Sequence, residues 1–380
     1  MDLTHIAYQD AATRSYLGSP SLVRLPEDFP HGGEIVATHD YFGPGCPRNH
    51  EDEEHLSAVY RSDDDGRSWH RVTLIAGAFW SNLLVHRGAL YLLGCSQQYG
   101  SIVIRRSNDG GDTWTHPGDA SRGLLFEGGP RREPPNYHCA PMPVLEVEGR
   151  LYRAFEDCHP CVWGSGFRSA VISADAEADL LNADSWRMSN KLPFDPDWAP
   201  AEWNAEKPGW LEGNVVQAPD GRLVNILRVN STPACDWAAM VELSSDGTEV
   251  AFDPANGFIG LPGGMTKFSI RRDAQTAVYL TLSNNNTDPS RASQRNVLSL
   301  HASEDLREWR HLRTILRDDL AHPWASSLKL TGFQYPDWQF DGPDDEDIIA
   351  AVRTAYRGAH NFHDANRVTF HRIEGWRALL

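Results

Sequence analysis

The sequence predicts an all-β protein: a six-bladed β-propeller of four-stranded antiparallel sheets, with residues 1–380 in a single domain. Three observations lead to this prediction. A polar turn motif occurs twice, and short strand candidates ahead of similar turns recur at intervals of about 40–70 residues. A strand–turn–strand pattern precedes most of these candidates, and convincing amphipathic helices are absent.

The repeated turn reads RSDDDGRSWH at residues 61–70 and RSNDGGDTWT at residues 106–115. Both copies place Ser, Asp, Gly and Trp at the same offsets, as in Ser62, Asp64, Gly66 and Trp69. Asp and Ser in a tight turn bond the N–H groups of their own loop, and Gly supplies a positive φ. The Trp just beyond can fold back over the hairpin. We therefore interpret these aspartates as structural turn residues.

Strand candidates that precede such turns supply one blade each. The third copy, SADAEADLLNADSW, surrounds an insertion, the fifth, SEDLREW, lacks the Gly, and the fourth and sixth are weaker. The six strands are residues 56–62, 102–107, 168–174, 238–245, 296–303 and 367–373.

Hairpin patterns stand ahead of these strands and complete the blades. Each reads strand, polar or Gly-containing turn, strand. They are LVHRGALYLLG, VLEVEGRLYRAF, VVQAPDGRLVNIL, FSIRRDAQTAVYLTL and WQFDGPDDEDIIAAV. Two segments rich in Pro, Trp and charge, residues 117–135 and 195–210, are predicted to be long loops over the rim of the central pocket.

Composition and charge narrow the class of protein. No run of 18 apolar residues is present, which argues against a membrane span. The net charge of −17 argues against nucleic acid or an anionic membrane surface as a partner, although a few convergent arginines could still bind a small anion. No secretory signal is visible, so we expect a cytoplasmic protein unless a leader has been removed.

Cysteine spacing gives little reason to expect a metal or cofactor. Of six cysteines, only Cys158 and Cys161 have a suggestive spacing, and a lone Cys-x-x-Cys is a weak zinc signal. We expect reduced, structural cysteines and no cofactor.

Strand direction predicts which residues meet at the propeller axis. The repeated turns lie on one face, so the start of strand 1, the end of strand 2 and the start of strand 3 converge on the other, where a concave pocket is expected. Many charged groups at these positions indicate a wet, functional cavity, because buried unpaired charges are costly. The candidates are His39, Asp40, Asp52, Trp80, Gln97, His138, Glu156, Glu212, Arg228, Lys267, Arg295, Tyr335, Arg353 and His363.

The repeated turn resembles the Asp box of the sialidase (BNR-repeat) superfamily, and the six-blade count agrees with that fold. WLEGNVVQAPDGRLVNILRVN is similar to the sialidase segment in which a Glu opens one strand and an Arg closes the next, and Glu212 and Arg228 occupy these two positions. Arg295 lies in SQRNVLSLHASEDLREW, which resembles the segment with the third substrate-binding arginine. Tyr335 lies in FQYPDWQFDGPDDEDIIAAV, which resembles the segment that opens with the tyrosine nucleophile. The resemblance to a divergent member implies that Glu212 takes the phenolic proton while Tyr335 attacks the anomeric carbon.

The chain departs from the sialidase pattern at the first arginine of the carboxylate-binding triad. Gly18-Ser-Pro20 stands where sialidases have Arg-Ile-Pro, so Lys267 or Arg353 is a candidate substitute. For the acid, Asp52 and Asp40 both remain candidates, with His39 beside Asp40.

Three functions remain open from the sequence. The first is a glycoside hydrolase that removes a terminal, acidic sugar from a glycan. The second is a lyase on uronic-acid saccharides, in which His138 or His363 and Tyr335 handle the proton while Arg228 and Arg295 hold the carboxylate. The third is a carbohydrate-binding propeller without catalysis.

Overall fold

The computed structural model describes residues 1–46, 55–129 and 133–380, and it confirms the predicted propeller. Their strands form six blades, each an antiparallel sheet with its first strand innermost. First strands of neighbouring blades contact one another around the axis, as in blades 4, 5 and 6. Pocket-forming side chains from different blades can therefore meet at this axis.

The first three blades follow one another along the chain. Blade 1 has β2 (Tyr16–Leu17), β3 (Ser21–Arg24), β4 (Ile35–Phe42), β5 (Leu56–Ser62) and β6 (His70–Ala76). Blade 2 has β7 (Phe79–His86), β8 (Ala89–Cys95), β9 (Ile102–Ser107) and β10 (Leu124–Phe126). Blade 3 has β11 (Tyr137–His138), β12 (Leu145–Val147), β13 (Arg150–Cys158), β14 (Phe167–Asp175), β15 (Trp186–Met188) and β16 (Leu192–Pro193).

The remaining blades close the ring. Blade 4 has β17 (Trp210–Gln217), β18 (Leu223–Val229), β19 (Trp237–Leu243), β20 (Val250–Ala251) and β21 (Phe258–Gly260). Blade 5 has β22 (Ser269–Arg272), β23 (Tyr279–Ser283), β24 (Val297–Ser303) and β25 (Arg310–Arg317). Blade 6 has β26 (Gly332–Asp341), β27 (Asp347–Ala355), β28 (Arg367–Ile373) and, as its outer strand, β1 (Thr4–Tyr8), so both chain ends share one sheet.

Short helices connect some of these strands. The α-helix α1 covers Trp324–Leu330, which the sequence did not predict. Single 3₁₀ turns cover Ala11–Thr13, Ala183–Ser185, Pro196–Trp198, Ala201–Trp203, Pro343–Asp345 and Trp376–Leu379. None of the helices in the described ranges has both the length and the apolar character needed to span a bilayer.

The hydrophobic core lies between blades, because both faces of each inner sheet are covered. Between blades 6 and 1, for example, Ile349 and Ala351 pack in one cluster with Ile35 and Ala37. Trp338 of β26 is fully buried, and its indole N–H donates to the Ser269 carbonyl of blade 5 at 3.0 Å. Removing such a ring typically costs about 3–5 kcal/mol.

The repeated turns close on themselves as their sequence predicts. In the second copy Ser107 Oγ donates to Asp109 Oδ1 at 2.7 Å, and Asp109 Oδ1 also accepts from Thr113 N at 2.9 Å. The Trp114 indole donates to the Gly111 carbonyl at 2.9 Å. Where the fifth copy lacks Gly, Leu306 takes the left-handed conformation with φ of 68°.

Blades 2, 4 and 6 share a one-residue bulge near the start of the first strand. The extra residues lie between Phe79 and Asn82, between Leu211 and Asn214, and between Gln334 and Asp337. Within each bulge one residue has a positive φ: 50° at Trp80, 57° at Glu212 and 51° at Tyr335. Non-glycine residues rarely adopt this conformation, and such strain is concentrated at functional sites.

Hydrogen bonds to other blades hold each bulge in place. Asn82 Oδ1 accepts from Arg153 Nε at 2.8 Å, and Asn214 Oδ1 accepts from the Ile270 N–H at 2.7 Å. Asp337 Oδ2 accepts from the Leu22 N–H at 3.0 Å. The residue two positions after Trp80, Glu212 or Tyr335 therefore fixes the backbone that aims these side chains.

Among the described residues of the two segments expected to cover the pocket rim, none lines the axial cavity. Residues 117–135 include strand β10, and residues 195–210 form 3₁₀ turns in which Trp203 is buried in the core. In the second segment Trp198 and Trp210 contact each other and the preceding Phe194, so these rings pack inward.

Candidate active site

A cavity of about 260 Å³ lies at the axis and takes side chains from five blades. Its walls combine two chemical classes. Charged groups come from blades 1, 3, 4 and 6, and aromatic rings largely from blades 2 and 3. The lining includes Gly18, Ser19, Asp40, Phe42, His55, Phe79, Trp80, Gln98, Tyr99, His138, Trp163, Phe167, Glu212, Tyr335, Arg353 and His363.

Tyr335 and Glu212 form a hydrogen-bonded pair in this cavity. The Tyr335 hydroxyl donates to Glu212 Oε1 at 2.7 Å, although the residues lie 123 positions apart in the chain. Both stand in the bulges of first strands, in blades 6 and 4. The sequence therefore placed these two residues together correctly.

Arg228 completes the pair from the neighbouring strand β18. Its guanidinium lies 2.8 Å from Glu212 Oε2 and 3.4 Å from the Tyr335 hydroxyl. Burial alone would raise the pKa of Glu212, but the charge of Arg228 outweighs it, and the pKa lies below its ordinary value. Burial and the Glu212 charge raise the pKa of Tyr335. The resting pair is therefore a neutral phenol on a carboxylate.

Two more guanidinium groups act on the phenol. The Arg353 Cζ lies 5.1 Å from the centre of the Tyr335 ring, and the charge of Arg295 opposes the rise in the Tyr335 pKa. Arg353 donates to the His363 carbonyl and Arg295 to Gln334 Oε1. Neither forms an ion pair within the described residues, and both Nε atoms are buried without a hydrogen-bond partner. Burial and the charge of Arg228 lower the pKa of Arg295 to about 9.

Asp40 lies on the wall formed by blades 1 and 2. Oδ1 accepts from the Ser19 N–H at 2.6 Å and Oδ2 from the Trp80 N–H at 3.0 Å. Burial raises the pKa of Asp40 to about 6, although both backbone bonds favour the carboxylate. A carboxyl with this pKa retains a proton for transfer in weakly acidic solution.

The Asp40 carboxylate leaves no room for a side chain at Gly18, the position where the sialidase pattern has an arginine. A Cβ at residue 18 would lie 1.6 Å from Asp40 Oδ1. No side chain fits there while Asp40 keeps this position. Arg353, from the opposite end of the chain, brings the third guanidinium to Tyr335 instead.

His138 and Glu156 form a buried pair on blade 3. His138 Nδ1 lies 2.8 Å from Glu156 Oε2, and Glu156 Oε1 accepts from the Gly213 N–H at 3.0 Å. The imidazole packs edge-on against Trp80 with ring centres 4.3 Å apart. His138 lines the cavity, whereas Glu156 is fully buried behind it and orients the ring.

His363 lies at the cavity mouth with its side chain more than half exposed. Its Nδ1 lies 2.9 Å from Asp364 Oδ1. The charge of Arg353 and burial lower the pKa of His363, so its ring is neutral at pH 7.

Six of the predicted residues do not line the cavity: Glu156, Arg228 and Arg295 lie behind the side chains that do, and His39, Lys267 and Gln97 are placed elsewhere. His39 points into the blade, where Tyr41 and Tyr60 pack on its ring and burial lowers its pKa to about 4. Lys267 is fully buried and donates from Nζ to the Pro336 carbonyl at 2.5 Å. Gln97 accepts a turn bond from the Gly100 N–H, and its neighbour Gln98 lines the cavity instead. Asp52 lies outside the described residues.

Metal binding finds no support in the described ranges. They contain no group of three or more His, Cys, Asp or Glu side chains placed to bind one ion. Cys158 and Cys161 are not disulfide-bonded, and the Cys161 thiol donates to the Cys158 carbonyl at 3.2 Å.

The aromatic part of the lining was largely missed from the sequence. Tyr99, Trp163 and Phe167 all contribute, together with the predicted Trp80. Tyr99 and Trp163 lie in loops after second strands, on the face where the site was expected. Their place in these loops was the sequence signal that could have identified them as lining residues.

Comparisons with known proteins agree with this architecture. The chain matches no protein-family model and has no significant match among curated proteins. Solved structures match over nearly its whole length. An α-L-arabinanase of Penicillium chrysogenum complexed with arabinobiose aligns with a TM-score of 0.61 and 14% identity, covering 100% of this chain and 99% of that one.

Two further similarities come from other glycosidases. The α-L-arabinofuranosidase Arb93A of Fusarium graminearum, with an iminosugar inhibitor, has a TM-score of 0.58 and 11% identity, covering 98% of each chain. Trypanosoma rangeli sialidase has a TM-score of 0.58 and 14% identity, covering 96% of this chain and 56% of that one. These similarities confirm a sialidase-like propeller fold.

Proposed function

We propose that this propeller is a glycoside hydrolase that removes a terminal acidic sugar from a glycan. The observation that carries the proposal is the Tyr335–Glu212 hydrogen bond of 2.7 Å, with Arg228 on both partners, inside an axial cavity. Its solved structural neighbours include an arabinanase, an arabinofuranosidase and a sialidase, which supports glycoside hydrolysis.

The chemistry begins at the phenol. An unperturbed Tyr has a pKa near 10, so an unaided phenol is a poor nucleophile at pH 7. Here Glu212 accepts the proton from Tyr335 as its oxygen forms a bond to the anomeric carbon. The three guanidinium groups stabilise the charge on the phenolic oxygen as it develops. Carboxylate and nucleophile thus act as one unit.

Asp40 is the proposed acid. Its proton passes to the glycosidic oxygen as the bond to the anomeric carbon breaks, and the leaving sugar departs as an alcohol. Water then attacks the glycosyl–Tyr335 intermediate and gives a proton to Asp40, while the Tyr335 oxygen recovers its proton from Glu212. The anomeric configuration is retained because two displacements occur.

The charge balance of the site supports an acidic substrate. Arg295 and Arg353 are buried next to Tyr335 without an ion pair in the described part of the chain, and burial lowers the pKa of both. A substrate carboxylate would supply the missing anion. Each charge-assisted hydrogen bond contributes about 1.5–3 kcal/mol.

The test uses 4-methylumbelliferyl glycosides of sialic acid, glucuronic acid and arabinofuranose. We expect an acidic glycoside to be cleaved with retention, and Tyr335→Phe to lose at least about 10³-fold in kcat. Arg353→Ala should raise KM for the acidic glycoside. Cleavage of arabinofuranoside alone would overturn the acidic substrate, and undiminished turnover by Tyr335→Phe would overturn the nucleophile.

A second candidate is a lyase on uronic-acid saccharides, and His363 is the observation that favours it. Its imidazole is neutral and exposed beside Arg353, as a proton acceptor next to a bound carboxylate would need to be. Elimination leaves a sugar whose double bond is conjugated with the carboxylate and absorbs ultraviolet light, whereas hydrolysis forms no such product. Incubation with uronic-acid polysaccharides, followed by absorbance, decides between the two reactions.

A further inference from the structure

A short loop beside the cavity exposes two large apolar side chains in succession. Val162 and Trp163 are 44% and 48% exposed, and they lie in residues 159–166, between β13 and β14. Large exposed apolar groups are uncommon elsewhere in the described chain. Trp163 lines the same cavity as Glu212 and Tyr335. Contiguous exposed apolar surface at a cavity mouth marks a binding surface.

The loop is held firmly against the strand that carries Glu212. The Gly166 N–H donates to the Val162 carbonyl at 2.9 Å, and the His159 N–H donates to the Gly166 carbonyl at 2.8 Å. Gly209, next to β17, approaches so closely that a Cβ there would lie 1.2 Å from the Gly164 carbonyl oxygen. The backbone around Trp163 is therefore fixed relative to the strand that carries Glu212.

Trp163 presents an aromatic surface in the cavity wall, next to the arginine that holds the catalytic pair. Arg228, which contacts both Glu212 and Tyr335, has its Cζ 5.5 Å from the centre of the Trp163 ring. About half of the Trp163 surface remains open to solvent. Aromatic rings favour contact with flat apolar surfaces such as the C–H face of a sugar ring.

The aromatic surface continues towards the proposed acid. Tyr99 lies between Phe167 and Trp80, with ring centres at 6.4 and 5.8 Å, and the Trp80 N–H donates to Asp40. The cation of the described cavity lining is Arg353, whose charge acts on both Tyr335 and Asp40. Because the Trp80 N–H donates to Asp40, a glycosidic oxygen at Asp40 places the leaving group beside the aromatic wall.

We propose that Trp163 binds the leaving-group sugar, so that the substrate is a disaccharide or longer saccharide. This subsite rests on the proposed hydrolase function. Trp163 stacks on the ring attached to the glycosidic oxygen, with Tyr99 and Trp80 completing the wall. The residue thereby sets specificity for the sugar to which the terminal acidic sugar is linked.

The test compares two substrates with the same terminal acidic sugar: an oligosaccharide, and the glycosyl fluoride, which has no leaving-group ring. The readout is the ratio of their kcat/KM values. We expect Trp163→Ala to lower this ratio about tenfold, the change that burying roughly 55 Å² of apolar ring surface produces. Trp163→Phe should restore most of the ratio because it retains an aromatic face.

Trp324→Ala is the matched control. Trp324 is a 40% exposed tryptophan that does not line the cavity, so its removal should leave the ratio unchanged. An unchanged ratio in Trp163→Ala would overturn the subsite while leaving hydrolysis intact. Absence of hydrolysis of both substrates by the wild-type protein would instead overturn the proposed function.

Discussion

Gly18→Ala adds one methyl group beside the proposed acid. The new Cβ would lie 1.6 Å from Asp40 Oδ1 and 2.6 Å from Asp40 Cγ, whereas real Cβ contacts essentially never fall below 3.0 Å. The Asp40 carboxylate must therefore move away from the new Cβ by roughly 1.4 Å. The Cβ cannot move the other way, because the next atom near it is the Asp40 backbone carbonyl oxygen at 3.0 Å. We expect this single methyl to displace Asp40 from its place in the cavity.

The magnitude depends on the bonds that hold Asp40. A retreat of this size breaks the 2.6 Å bond from the Ser19 N–H and weakens the 3.0 Å bond from the Trp80 N–H. Hydrogen bonds to charged groups contribute about 1.5–3 kcal/mol, whereas Gly→Ala stabilises by only about 0.4–1 kcal/mol through the unfolded chain. The free energy of unfolding should therefore fall by about 1–2 kcal/mol.

Catalysis should suffer more than stability. Misplacement of a catalytic group by about 1 Å costs on the order of 10²-fold in rate. The assay is kcat/KM on the acidic glycoside, with chemical denaturation to measure the unfolding free energy. We expect a loss of about 100-fold in kcat/KM from a protein that remains folded.

Gly260→Ala provides the control. A Cβ at Gly260 meets no atom within 4 Å, so this variant should keep the wild-type kcat/KM and stability. Full activity in Gly18→Ala would refute the reasoning, since Asp40 could then not be the acid in the position described.

Three further predictions concern pH, positioning and the repeated turns. The pKa of Asp40 is raised to about 6 and its protonated form is the acid, so kcat/KM should fall about tenfold per pH unit above pH 6. Glu212 stays ionised over this range because its pKa is lowered. A pH–rate profile tests this, and Asp40→Asn should abolish the fall in kcat/KM above pH 6. Lys267→Met removes the bond to the Pro336 carbonyl and should lower kcat about tenfold with little change in KM, measured by steady-state kinetics. Asp109→Ala opens a structural turn and should lower the unfolding free energy by about 1–2 kcal/mol, by chemical denaturation, without changing kcat.

Each of these has an opposing outcome. A pH profile flat through pH 8 would argue against a carboxyl acid of this environment. A Lys267→Met variant altered only in KM would return Lys267 to the role of a substrate ligand. Loss of kcat in the folded Asp109→Ala protein would contradict the structural interpretation of the repeated turns.

The sequence by itself determined the strands and turns, because these depend on local chemistry. Ser, Asp, Gly and Trp at fixed offsets lock a hairpin turn, and strands 56–62, 102–107 and 367–373 agree residue for residue with β5, β9 and β28. Similarity to known segments also brought Glu212 and Tyr335 together. The turns and strands are properties that neighbouring residues in the chain express, whereas the pairing of Glu212 with Tyr335 was inferred from the resemblance of two separate segments.

Only the tertiary structure decided which side chains enter the cavity. Side chains alternate between the faces of a strand, so one extra residue reverses the direction of those beyond it. The bulges at Glu212 and Tyr335 are held by hydrogen bonds to other blades, which a linear sequence does not display. For the same reason only the tertiary structure brings Arg353 to the ring of Tyr335, buries Lys267 against the Pro336 carbonyl, and packs Gly18 against Asp40 of the neighbouring strand in blade 1.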